Sequence, residues 1–222
     1  MKTLFLSLTF TLFTLLTSAQ NNLEIGFGTG LNVTSLHGAD LKRYYDWQYS
    51  VPVSLQLRYS FSEALSLVAN IAYESKGCKG INMKLVDMEG KNLGSNHSFN
   101  YTYNYITVPL LVRYQFKNGP IFINGGPYVG YLLKYTESFA NTELDRTSDM
   151  KKMDLGFSFG AGVKFPLSDK WNLTAEIRNN LGLTNIRMSN DTYTSAPIHP
   201  VTDLNPVYTN STNVLVGIHY KL

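Results

Sequence analysis

The side chains best suited to metal or nucleophilic chemistry are four histidines, His37, His97, His199 and His219, and a single cysteine, Cys78. Their spacing matches no metal-ligand pattern, and one cysteine cannot build a zinc cluster, so no metal is expected. His97-Ser98 invites a lipid-modifying hydrolase reading. Adjacent strand residues face opposite ways, however, and no carboxylate is evident to orient the histidine, so no catalytic residue is assigned. GFGTG at Gly26 to Gly30 echoes a dinucleotide loop, but no helix follows and the glycine spacing is wrong. No cofactor is expected.

A second constellation is more informative. Glu24, Arg58, Arg113, Lys164, Glu176, Arg178, His219 and Lys221 all fall on the polar phase of stretches that alternate apolar and polar residues. If these faces turn inward, the groups must satisfy one another, because an unpaired buried charge is costly. Glu24 is expected to meet Lys221 or His219 across a seam between the first and last strands. The constellation reads either as a charge-selective pore or as a packed polar plug, and a narrow interior favours the plug.

The alternation itself defines the elements that position these groups. A period of two with one apolar face is a strand signature. It predicts eight strands: 23–33, 49–61, 65–74, 103–116, 121–135, 154–165, 171–178 and 213–222. Asn213 to Leu222, NVLVGIHYKL, has Leu215 as its single exception and is expected to pair with the first strand. In the fifth strand both phases carry apolar residues, and the weaker pattern places Ile123, Val129, Tyr131 and Leu133 outside. Pro109 and Pro127 each remove a ladder donor, so a bulge is expected at each. The expected fold is an all-β, eight-stranded antiparallel up-and-down transmembrane barrel spanning residues 20–222.

Three features orient the apolar face outward, toward lipid. Connections at 62–64, 117–120 and 166–170 are short, while 34–48, 75–100, 136–152 and 184–212 are long, so the short ones share one rim. The apolar face ends there in Tyr59, Phe61, Tyr114, Phe116, Phe165, Trp171 and Tyr220, an aromatic girdle for the periplasmic side. The other face is glycine, serine, threonine, asparagine and charge. A ligand-binding barrel with its apolar face inward is the alternative. Among the long loops, Tyr44, Tyr45, Trp47, Phe99, Tyr101 and Tyr103 offer either a contact surface or an upper girdle.

The stretches YNYITVPLLVRYQF at Tyr103 to Phe116 and GPIFINGGPYVGYLL at Gly119 to Leu133, with the last strand, resemble the PorT-like family of small outer-membrane β-barrels. The architecture is that of OmpA/OmpX-type domains. The resemblance implies an outer-membrane location and insertion by the barrel-assembly machinery. Some members are associated with secretion. It carries over no catalytic residue.

Residues 1–19 read as a signal peptide: Lys2, an apolar run from Leu4 to Leu16, and Thr17-Ser18-Ala19 before the expected cleavage. The run is short of the ~20 residues of a spanning helix. Charged residues make up 16% of the chain with a net of +3, and no basic stripe suggests a nucleic-acid partner. The partners expected are outer-membrane lipid, the assembly machinery, and an envelope or secretion protein met through the long loops. The expected role is non-enzymatic, in envelope structure or loop presentation. A transport or secretion accessory is the first alternative and a lipid-modifying enzyme the second.

Overall fold

A computed structural model describes residues 22–38, 45–80, 83–86, 92–97, 99–117, 119–139, 142–187 and 206–222. The expected signal peptide, Tyr44, Ser98, Asn118 and His199 lie outside the described residues. The strands are β1 (Leu23–His37), β2 (Tyr45–Ser50), β3 (Val53–Ser60), β4 (Leu65–Gly80), β5 (Met83–Val86) and β6 (Asn92–His97). They continue with β7 (Phe99–Gln115), β8 (Ile121–Phe139), β9 (Thr142–Asp145), β10 (Met153–Pro166), β11 (Trp171–Gly182) and β12 (Tyr208–Lys221).

Eight staves close a ring in the order β1, β2 with β3, β4, β7, β8, β10, β11, β12, every neighbouring pair antiparallel. The seam joins β1 to β12 over fourteen residue pairs, from Glu24↔Lys221 to His37↔Tyr208. A closed ring has no edge along its staves, so the backbone donors and acceptors of each stave are met on both sides.

The ring is inside-out relative to a water-soluble fold. Outward positions are apolar and exposed: Phe27, Leu31, Leu55, Ile71, Leu110, Val112, Phe159, Ile177 and Val216 among them. Inward positions are polar and buried: Asn32, Thr34, Ser54, Asn70, Thr107, Asn172, Thr174, Ser211 and Asn213. In β8 the outward set is Ile123, Val129, Tyr131 and Leu133, as the weaker alternation indicated. No helix among the described residues is long and apolar enough to cross a membrane.

The short rim is closed by tight turns, with Phe61 N–H donating to Leu65 O (2.9 Å), Phe116 N–H to Ile121 O (3.0 Å) and Leu167 N–H to Trp171 O (2.8 Å). The girdle aromatics meet edge-to-face at this rim. Tyr59 with Phe61, Tyr114 with Phe116 and Trp171 with Tyr220 have centroids 5.1, 5.2 and 5.0 Å apart. Phe165 is exposed near the same end.

Several expectations fail at the other rim. Strands run on where loops were expected: β1 to His37, β4 to Gly80, β7 from Phe99 and β8 to Phe139, with β5 and β6 forming a hairpin inside the expected excursion at 75–100. The ladder needs no apolar face to continue, so it outlasts the apolar signal. Cys78 is therefore not a loop residue but a buried one near the end of β4. Tyr101 and Tyr103 are not a girdle or an outer contact surface either. Both turn inward and are buried with Leu36, Tyr105, Leu132, Tyr135, Met150, Ile186 and Val207. Trp47 is exposed.

The prolines also act differently from expectation. No register shift occurs at Pro109 or Pro127, because Pro109↔Tyr128 and Val112↔Gly125 share one register, and Pro127 sits in an unbroken run of pairs with β10. The β4–β7 ladder instead steps from Ala69↔Leu110 to Ala72↔Thr107, opening beside Pro109 without slipping. The proline that does interrupt a stave is Pro52, between β2 and β3, whose carbonyl accepts from Thr29 Oγ1 at 2.9 Å. The bulge lies higher, where Asn104↔Lys134 is followed by Tyr105↔Leu132.

Candidate functional site in the lumen

Period-two geometry brings the even-numbered residues of β1, β3, β4, β10 and β11 and the odd-numbered residues of β7 and β12 to the barrel interior, except at strand ends such as Pro166 and Lys221. Eight staves leave a bore that side chains fill by themselves. The ionisable residues inside must therefore meet, and they do so in two layers.

The layer nearer the short rim holds two carboxylates, each held by two cations. Glu24 on β1 pairs with Arg58 on β3 and, through Oε1, with Lys164 Nζ at 3.2 Å. Glu176 on β11 pairs with Arg113 Nη2 at 3.0 Å and Arg178 Nε at 2.6 Å, and accepts a further bond from Asn124 Nδ2 at 3.0 Å. The Arg113 guanidinium also lies over the Phe122 ring, 3.9 Å from its centroid. Its planar cation suits both contacts at once.

The expected contact of Glu24 with Lys221 or His219 is corrected. Lys221 stands opposite Glu24 in the seam register, but its side chain is exposed. His219 is buried and shares a 2.9 Å hydrogen bond with Thr174 Oγ1. Arg58 is also in register with Glu24, on the β3 side of β1, and it and Lys164, from across the bore, are the cations that reach the carboxylate. Gly26 lies beneath His219, where a Cβ would meet the imidazole ring. The glycine makes room for the histidine.

The second layer, nearer the long-loop rim, was not singled out from the sequence. Lys76 Nζ lies 2.9 Å from Asp154 Oδ2 and 3.5 Å from Glu74 Oε1, and all three residues are buried. Tyr128 Oη and Thr209 Oγ1 donate to Asp154 Oδ2 at 3.2 and 2.7 Å, and Asn180 Nδ2 bonds Glu74 Oε1 at 3.5 Å. The ammonium faces the rings of Tyr128 and Tyr105 at 4.6 and 5.2 Å. The signal was the unbroken phase Asn70, Ala72, Glu74, Lys76, Cys78, every member of which is buried.

These contacts run across the bore. From β4 to β10, from β7 to β11 and from β10 to β1 are three steps round the ring, and from β4 to β11 is four. The pairs Lys76–Asp154, Arg113–Glu176, Lys164–Glu24 and Asn180–Glu74 are therefore struts rather than wall contacts. Between the layers, a cavity of about 10 Å³ touches Asn70, Glu74, Arg178 and Asn213, room for about one water. Above the upper layer the buried tyrosine cluster fills the bore, with Tyr103 and Tyr135 stacked at 4.3 Å.

Among the described residues, no three His, Cys, Asp or Glu side chains converge for a metal ion. His37 ends β1 and stacks on Tyr208 at 5.4 Å, and His97 ends β6.

The model of the outer membrane protein beta-barrel domain matches residues 18–187, most of the chain. The chain belongs to this family. The outer membrane is accordingly its location, and the exposed apolar band is its lipid-facing surface. Among solved structures, the chain is similar to Neisserial surface protein A, with 10% identity, a TM-score of 0.50, and coverage of 90% of this chain and 97% of that one. Other similar structures are Ail, the attachment invasion locus protein of Yersinia pestis (12% identity, TM-score 0.41, 89% and 99% covered), and OprG from Pseudomonas aeruginosa (11%, 0.42, 92% and 99%). No curated protein matches the chain. Identities this low bear on the fold alone.

Proposed function

We propose that this protein is a non-enzymatic barrel of the outer membrane with an occluded bore, contributing to envelope structure and offering its long-loop rim to a partner. The observation that carries the occluded bore is the pair of cross-lumen ion layers. Each carboxylate of the lower layer is held by two cations, and the upper ammonium by two carboxylates. A solute would have to displace both sets of struts and then the tyrosine cluster.

In this reading residues 1–19 are removed on export, the short rim faces the periplasm, and the strands β4, β7 and β8 carry the long connections outward. The PorT-like resemblance fits a structural or accessory role. The test is planar-bilayer recording on the refolded mature chain. Currents no larger than transient flickers are expected. Stable, large unitary currents would replace the plug with a pore.

A further inference from the structure

Three lysines stand at the long-loop rim, in neither ion layer. Lys134 follows the β8 bulge, and Lys151 and Lys152 precede β10. All three are exposed. Beside them lies a groove of about 510 Å³ on the outer surface, touching Lys151, Lys152, Met153, Leu155, Thr184 and Asn185. Met153 and Leu155 are exposed members of the lipid-facing phase of β10. The groove thus passes from an apolar wall to two exposed lysines within a few residues of one strand.

We propose that this groove holds a membrane lipid with a phosphate-bearing headgroup, Lys151 and Lys152 facing its phosphate and Met153 and Leu155 lying along an acyl chain. The order of residues up β10, apolar then cationic, is the order of groups in such a lipid from tail to headgroup. Basic residues beside a membrane attract anionic headgroups.

The lysines are held in place but left open. Lys151 N–H donates to Ile186 O at 2.9 Å, and Lys152 O accepts from Leu132 N–H at 2.8 Å, so the neighbouring staves fix the backbone. Neither lysine has an ion-pair partner among the described residues, and the Nζ of Lys170 at the short rim is held instead by a hydrogen bond to Tyr220 Oη at 3.2 Å. After the hydrogen bonds from Thr147, the charges of Lys134 and Lys152 help to hold the Asp145 carboxyl below its ordinary value. Its carboxylate is turned into its own loop, accepting from Thr147 Oγ1 at 2.6 Å and Thr147 N–H at 3.0 Å. The nearby Asp149 pairs with Arg146. This groove is independent of whether the bore conducts.

The test uses the full mature chain in phosphatidylcholine nanodiscs doped with diphosphoryl lipid A or with the same lipid enzymatically dephosphorylated, read by native mass spectrometry. The wild-type barrel is expected to retain the phosphorylated lipid, and Lys151→Ala/Lys152→Ala to hold it about thirty-fold less tightly. The Lys151→Arg/Lys152→Arg protein should retain it, and Lys170→Ala should match wild type. Equal retention by the double alanine variant would overturn the proposal, as would equal retention of the dephosphorylated lipid. Displacement of the lipid by millimolar inorganic phosphate alone would overturn the acyl half of the site. Heat-modifiable gel mobility confirms that each variant is folded.

Discussion

Lys76 Nζ lies 2.9 Å from Asp154 Oδ2 with both side chains fully buried, although β4 and β10 stand three staves apart. The contact therefore spans the bore. Glu74, two residues below Lys76 on the same face, brings a second carboxylate to the same ammonium at 3.5 Å. Two rings supply the rest of its surroundings. Stripped of water, the ammonium is held by opposite charge, hydrogen bonds and π-faces, each of which must replace part of its hydration.

Lys76→Met is expected to destabilise the barrel by roughly 3–5 kcal/mol, because Glu74 and Asp154 would be left buried without their cation. Adding Asp154→Leu and Glu74→Leu should recover a large part of that loss, since removing all the charges also removes their desolvation penalty. Urea unfolding in micelles, followed by tryptophan fluorescence, measures both. A Lys76→Met barrel as stable as wild type would show that the ammonium does not neutralise these carboxylates.

Val216, between Thr29 and Ala175 in the register, faces outward well above the Trp171–Tyr220 pair. Val216→Arg is expected to cost roughly 2–4 kcal/mol, whereas Tyr220→Arg at the rim should cost about 0–1 kcal/mol. Unfolding from phospholipid vesicles measures the difference. Equal penalties at the two depths would contradict the placement of the lipid band.

The eight-stave ring was legible because its outward phase is apolar wherever lipid touches it, as in Phe27, Leu55, Val112 and Val216. Above that band the clue disappears. Ser75, Gly77 and Lys79 on the outer phase of β4 look like a loop, yet the ladder to β7 runs through Lys79↔Asn100. The upper ion layer was lost with it. In the lower layer the member residues were legible from phase, but their partners were not. Depth and register put Lys221 opposite Glu24, while contact across a bore depends on which long side chain reaches over from a distant stave.

Asp145 lies beyond the lipid band, and its bonds from the Thr147 hydroxyl and amide hold its carboxyl below the ordinary 3.8. A depressed folded-state value means that this turn is stabilised while the carboxylate is ionised, above its unfolded value. That stabilisation disappears as pH falls through the folded one. The Thr147 amide proton resonance is expected to move upfield over this acid range in wild type and to stay fixed in Asp145→Asn. An amide that titrates identically in both proteins would assign the shift to another group.

Tyr103 and Tyr135 stack at 4.3 Å and 15° only because the ladder between β7 and β8 slips by one residue below them. Leu133 and Lys134 face outward in succession, and the phase of β8 reverses, which turns Tyr135 into the bore. Were Leu133 taken into the ladder without a bulge, Tyr135 would share the outward phase of Tyr131 and Leu133. A double-mutant cycle of Tyr103→Ala and Tyr135→Ala is expected to give a coupling of about 0.5–1.5 kcal/mol, the usual range for an aromatic pair. Repeating the cycle after deletion of Leu133 should leave the coupling in place, since the deletion removes the bulge while Lys134 and Tyr135 keep Asn104 and Tyr103 as their partners. A coupling lost on the deletion would mean that the inserted residue does more than reset the phase of upper β8.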